Sequence, residues 1–145
     1  MIAPDRLKST VLAKGLTESQ LATLAAHGTE RKYPTGETML LPEDGYFTLL
    51  VLLDGECEVL GVMDDEINHL HAGMLVGEVA FLDHKQRSAK ALAKTDCVAA
   101  AFEADLIDRL RKQDPEAATQ LLLNLIEVLC TKLRQATRWI DAGHV

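Results

Sequence analysis

No stretch of this sequence stays apolar for the length of a membrane span, and its opening, MIAPDRLKST, lacks the hydrophobic core of a secretory leader. The expected location is therefore the cytoplasm. Positive charge is also short. Fifteen Lys and Arg stand against 22 Asp and Glu, a formal net charge of −7, which excludes the basic footprint that nucleic acid requires. Any anion site must be local, built from one or two cations and oriented backbone N–H groups. Cysteine is sparse: Cys57, Cys97 and Cys130 lie far apart with no CxxC pair. They read as small hydrophobes, not as a disulfide framework or a zinc site, and no metal is expected. No Ser, His and Asp set stands in a recognisable catalytic context, so the chain is not expected to be an enzyme.

What remains is a chain of 145 residues, 48% hydrophobic and 26% charged, suited to a single globular domain over 1–145. Its texture changes twice. Residues 1–32 form an N-terminal segment that looks helical from 5 to 28, with Thr17 and Gln20 as a capping box and Gly28 as a stop. From 33 to 102 short strands alternate with glycine turns. The candidates are Thr38 to Leu41, Phe47 to Leu53, Glu56 to Val62, Ile67 to His71 and two strands within Ala89 to Phe102, with Asp64-Asp65-Glu66 as a solvated hairpin tip. Leu49 to Leu53 is apolar throughout. Its length and the Asp54-Gly55 turn favour a strand over a helix. This spacing predicts an α+β fold, a β jelly-roll barrel flanked by helices.

Residues 103–145 are helical again, with Asp114 as N-cap and Pro115 at the first helical position. Ala118, Leu122, Leu125, Leu129, Leu133, Ala136 and Ile140 recur at helical steps, and Leu121 and Ile126 widen the stripe. Two readings stay open: a helix packed only on its own core, or one that also meets a second copy.

The stretch 76–89, VGEVAFLDHKQRSA, concentrates the chemistry. Gly77 lets backbone approach a ligand, and the first turn of the short helix at Val79 to Leu82 presents unpaired N–H groups. Arg87 offers a fork of donors suited to phosphate oxygens, and Ser88 adds a hydroxyl. Glu78 cannot face a phosphate but can accept from sugar hydroxyls. The set describes a site for a small sugar phosphate.

In this stretch the sequence resembles the phosphate-binding cassette of cyclic nucleotide-binding domains, the family of the catabolite activator protein and of the regulatory subunits of cAMP-dependent kinase. The likeness extends to Tyr33-Pro34-Thr35-Gly36-Glu37, Leu53-Asp54-Gly55-Glu56 and Leu70-His71-Ala72-Gly73, and onward through Ala93-Lys94-Thr95 to the terminal helix. The resemblance implies a cyclic nucleotide ligand, cAMP or cGMP. Glu78 would accept from the ribose 2′-hydroxyl and Arg87 would pair with the cyclic phosphate. Gly77 and the N–H groups of Val79 and Ala80 would approach ribose and phosphate, Ser88 would bond a phosphate oxygen, and Ala89 would close the cassette. Ser88 in place of threonine favours cAMP. The purine contact would come from Ala136, Thr137 or Arg138, with Trp139 as a stacking alternative. Val76 replaces a commoner aromatic, and His84-Lys85-Gln86 replaces a turn that often holds Gly or Pro. No DNA-reading element follows the long helix, and no iron ligand of a haem-sensing variant is evident. The implied output is therefore a shift of the C-terminal helix acting on an effector protein, a fused domain or a second copy.

Two rival readings come from the residues themselves. His69 and His71 alternate onto one strand face and, with Glu78, outline a cupin-like metal site, although the interval to Glu78 is long and only His84 is left as a fourth ligand. The other is a ligand-free dimerisation module.

Overall fold

The computed structural model describes residues 1–41, 46–61, 66–85 and 89–141, leaving aside the side chains of 66–67 and 139–141. The N-terminal segment is broken rather than continuous: α1 (Pro4–Leu7), a 3-10 turn (Val11–Ala13), then α2 (Glu18–Ala26). The capping box forms as expected. The Gln20 N–H donates to Thr17 Oγ1 at 3.1 Å, and Gln20 Oε1 accepts from the Thr17 N–H at 3.0 Å. His27, not Gly28, is the residue that caps the far end.

Eight strands follow, β1 (Thr29–Tyr33), β2 (Thr38–Leu40), β3 (Leu49–Asp54), β4 (Glu56–Leu60), β5 (Glu66–His71), β6 (Leu75–Val76), β7 (Lys90–Ala93) and β8 (Cys97–Phe102), among the described residues. They form two four-stranded antiparallel sheets, ordered β1-β8-β3-β6 and β2-β7-β4-β5. This is the expected α+β jelly roll. The tip at Asp64-Asp65 lies outside the described residues.

The composition of β3 follows from its place. Leu49 and Val51 pack with α1, α2 and the C-terminal helices, while Leu50 and Leu52 face the barrel interior. A central strand covered on both faces has no use for polar alternation, hence the unbroken LLVLL. β8 behaves likewise. Ala100 and Phe102 join the helical core, and Cys97, Ala99 and Ala101 join the barrel core.

In chain order α3 (Glu78–Asp83) lies between β6 and β7, and α4 (Leu106–Gln113) and α5 (Pro115–Asp141) follow β8. Asp114 caps α5 by accepting from the Ala117 N–H at 3.1 Å. The buried face of α5 is Ala117, Ala118, Leu121, Asn124 and Leu125. This corrects the expected stripe at its far end, because Leu133 is 70% exposed and Ala136 is also on the surface. Asn124 is buried, and its amide donates to the carbonyls of Leu12 at 3.1 Å and Lys14 at 2.9 Å. These bonds lock the middle of α5 onto the N-terminal 3-10 turn. No helix among the described residues is long and apolar enough to cross a membrane.

Candidate functional site

The site begins where β6 stops. β6 pairs with β3 in the register Leu50↔Val76 and Val51↔Leu75, which fixes the end of the strand against the sheet. Gly77 then takes φ +83° and ψ +17° as the N-cap of α3. A side chain in this left-handed region costs about 1–2 kcal/mol, so the turn calls for glycine. The turn is closed by the Phe81 N–H donating to the Gly77 carbonyl at 3.1 Å.

At the other end of α3, His84 adopts φ +55°, the conformation usually left to Gly or Asn after a helix. Its ring stacks on Phe47 with centroids 5.3 Å apart and planes 5° apart, an arrangement that offsets the backbone strain. The Asp83 carboxylate then accepts from the Lys85 N–H at 2.9 Å and steers the chain onward.

Glu78 is the first residue of α3 and only 3% exposed. A carboxylate at that depth needs a partner, and it has one in Lys132 of α5, whose ammonium donates to Glu78 Oε1. The sequence reading missed Lys132. The signal was nonetheless present, since Lys132 extends the buried row of Leu121, Leu125 and Val128 by one further turn. A lysine on that row aims its charge at the domain instead of at solvent.

These residues line one cavity of about 250 Å³, bounded by Leu40, Leu70 and Ala91 from the strands and by Gly77, Glu78, Val79, Ala80 and Ala89 from the stretch between β6 and β7. Lys85, Lys90 and Lys132 contribute its cations, Glu78 and Asp83 its anions. A local positive excess thus exists in a chain of net charge −7. Of the residues singled out from sequence, Gly77, Glu78, Val79, Ala80 and Ala89 meet here. Arg87 and Ser88 lie outside the described residues. Thr137 does not line the cavity. It is exposed on α5, its hydroxyl donating to the Leu133 carbonyl at 3.0 Å.

The cupin-like grouping does not form. The carboxylate gathered with His69 and His71 is Glu56 from the neighbouring strand, while Glu78 is engaged by Lys132.

The model of the cyclic nucleotide-binding domain matches residues 30–114, more than half the chain. The chain belongs to this family. Its members are regulatory ligand-binding domains, not catalysts. Among curated proteins, Glutaminase 1 of Bradyrhizobium diazoefficiens is 36% identical over 132 residues, covering 90% of this chain but 21% of that protein. The cyclic AMP receptor protein of Thermus thermophilus is 27% identical over 140 residues, covering 93% of this chain and 62% of that protein. The chain thus spans less than two thirds of the length of either relative. A cyclic nucleotide-binding domain from Methylobacillus flagellatus superposes with a TM-score of 0.84 at 21% identity, covering 95% of this chain and 80% of that one. In this cyclic nucleotide-binding domain, α5 reaches back to the start of α3 through Lys132 and Glu78.

Proposed function

We propose that this domain binds a cyclic nucleotide, cAMP in preference to cGMP, and uses it to reposition α5. Glu78 takes the ribose 2′-hydroxyl, Arg87 the cyclic phosphate, and Gly77, the N–H groups of Val79 and Ala80, and Ser88 complete the contacts. The observation that carries the reading is the pairing of buried Glu78 with Lys132. The carboxylate assigned to the sugar is paired with a lysine of the helix assigned to the output. A hydroxyl donor and the lysine compete for one acceptor, so binding and helix position are thermodynamically linked.

The cavity volume, about 250 Å³, falls just short of the roughly 300–1,000 Å³ of small-molecule sites. Withdrawal of the Lys132 side chain would widen it. Asn124 and its two carbonyl partners anchor α5 upstream, so the part free to move is the segment beyond it, which carries exposed Leu133 and Thr137. Thr137 reaches the purine only in the ligand-bound position of that segment. The exposed apolar face of α5, with Leu123, Ile126 and Leu133, would act on a second copy, an effector or a fused domain. The match to one fifth of a glutaminase supports the fused arrangement, and the domain itself performs no catalysis.

Calorimetric titration with cAMP, cGMP and non-cyclic AMP tests the ligand. Binding of cAMP, weaker binding of cGMP and none of AMP are expected. Arg87→Ala should cost about 2–3 kcal/mol, roughly 30- to 150-fold in affinity. Absence of binding of both cyclic nucleotides at millimolar concentration would overturn the proposal.

A further inference from the structure

The strands β4 and β5 bring three metal-ligating side chains together, none of which lines the cavity at Glu78. His69 and His71 are two apart on β5 and therefore share a face, and Glu56 lies directly opposite His71 in the β4–β5 register. Glu56 Oε1 is 3.6 Å from His69 Nε2 and 3.4 Å from His71 Nδ1, and one ligand atom from each residue falls within 4.8 Å of the others. The imidazole centroids are 5.0 Å apart and tilted by 59°, so the rings converge without stacking.

From this geometry we infer a divalent transition-metal site, with Zn2+ as the ion it fits best. Tetrahedral zinc with bonds near 2.0–2.1 Å places its ligand atoms about 3.3 Å apart. The two carboxylate-to-imidazole separations are already close to that figure. The ligand atoms of the histidine pair lie within 4.8 Å of each other, and both side chains are partly exposed. Two imidazoles and one carboxylate are a borderline donor set that suits zinc rather than calcium or magnesium.

The backbone beneath Glu56 is held on both sides. Its N–H donates to Thr95 Oγ1 at 2.9 Å, and its carbonyl accepts from the N–H groups of Lys94 at 2.9 Å and Thr95 at 3.2 Å. A ligand carried on so constrained a strand costs little to order. Three protein ligands leave a fourth position for water or for a donor from another molecule. All three side chains are partly exposed, so that position is open to solvent. The site is a clip across the β4–β5 pair and does not depend on nucleotide.

The test is a Zn2+ titration of chelator-stripped, tag-free protein against a chromophoric competitor, in a Cys130→Ser background that removes the exposed thiol. Co2+ substitution reports the coordination geometry through its visible absorption. One equivalent of zinc is expected, with Glu56→Gln, His69→Ala and His71→Ala each weakening it at least tenfold and Glu78→Gln leaving it unchanged. Binding below one equivalent, or binding indifferent to all three substitutions, would overturn the inference. Loss of zinc in Glu78→Gln would do so as well, by returning the metal to the nucleotide cavity. Because the three side chains are partly exposed, circular dichroism of each variant should match the parent. Any variant that fails this check is replaced by His69→Gln or His71→Gln.

Discussion

Replacing Lys132 with methionine separates what α5 contributes to the empty domain from what it withholds from the ligand. The substitution keeps most of the side-chain stem and removes the charge. Its cost follows from the environment of the pair. Glu78 is almost wholly buried, with its side chain 4% exposed, whereas the Lys132 side chain is 34% exposed. Breaking a fully buried pair costs about 3–5 kcal/mol, and an exposed pair is worth about 0–1 kcal/mol. A pair buried at one end falls between these limits, at about 1–2 kcal/mol. For a chain of this size that corresponds to a fall in Tm of roughly 2–8 °C, at about 2–4 °C per kcal/mol.

The same quantity should reappear with opposite sign in binding. If nucleotide must displace Lys132 to reach Glu78, the variant no longer has that contact to break. Its affinity for cAMP should rise by roughly 5- to 30-fold, the equivalent of 1–2 kcal/mol. Thermal unfolding of the empty protein and calorimetry with cAMP measure the two sides independently. A variant that is less stable when empty yet binds cAMP no tighter, or more weakly, would refute the reasoning. Lys132 would then keep a favourable contact in the complex, and displacement of α5 could not be its consequence.

Two further substitutions probe the frame around the site. Gly55 has φ +93°, and a Cβ there would sit 2.3 Å from the Asp96 carbonyl oxygen. Gly55→Ala therefore combines left-handed strain with a backbone clash and should destabilise by about 2–5 kcal/mol in urea unfolding. A cost under 1 kcal/mol would mean that the β3–β4 turn relaxes freely. Burial, with smaller effects from nearby Cys97 and Glu58, pushes the Cys57 thiol up from 9.0 to about 12. Between those values the unfolded chain has lost the proton and the native chain has not, so this thiol makes stability fall as pH rises from about 9 to 12. Cys57→Ala should flatten that alkaline slope, and an unchanged slope would assign it to other groups.

Much of the site was legible because its elements are short and sharply punctuated. A glycine that must turn, one helical turn and a stop can be read from GEVAFLDH alone, as can the Asp114-Pro115 start of α5. The elements that were missed lack such marks. β1 reads TERKY, and only Tyr33 is buried, so no alternation of apolar residues announces it. It is a strand because β8 offers it an open edge. β6 has two residues and owes its existence to pairing with β3. The grouping of His69 and His71 with Glu56 instead of Glu78 likewise depends on a cross-strand register that no spacing along the chain records.

The two most consequential residues on α5 were hidden for a different reason. Hydrophobic periodicity selects apolar positions and discards polar ones as solvated, yet Asn124 and Lys132 occupy the inward row themselves. Each is tolerated there only because a fixed acceptor waits for it, the Leu12 and Lys14 carbonyls for Asn124 and the Glu78 carboxylate for Lys132. The acceptors differ in kind. The bonds from Asn124 go to turn backbone outside the cavity, so they anchor α5 whatever the cavity holds. The Glu78 carboxylate lines the cavity, and under the proposed function an arriving hydroxyl competes with Lys132 for it. The proposal thus divides α5 into a fixed half and a conditional half, with the boundary lying between 124 and 132. A stripe that was apolar throughout would offer no contact for a ligand to exchange.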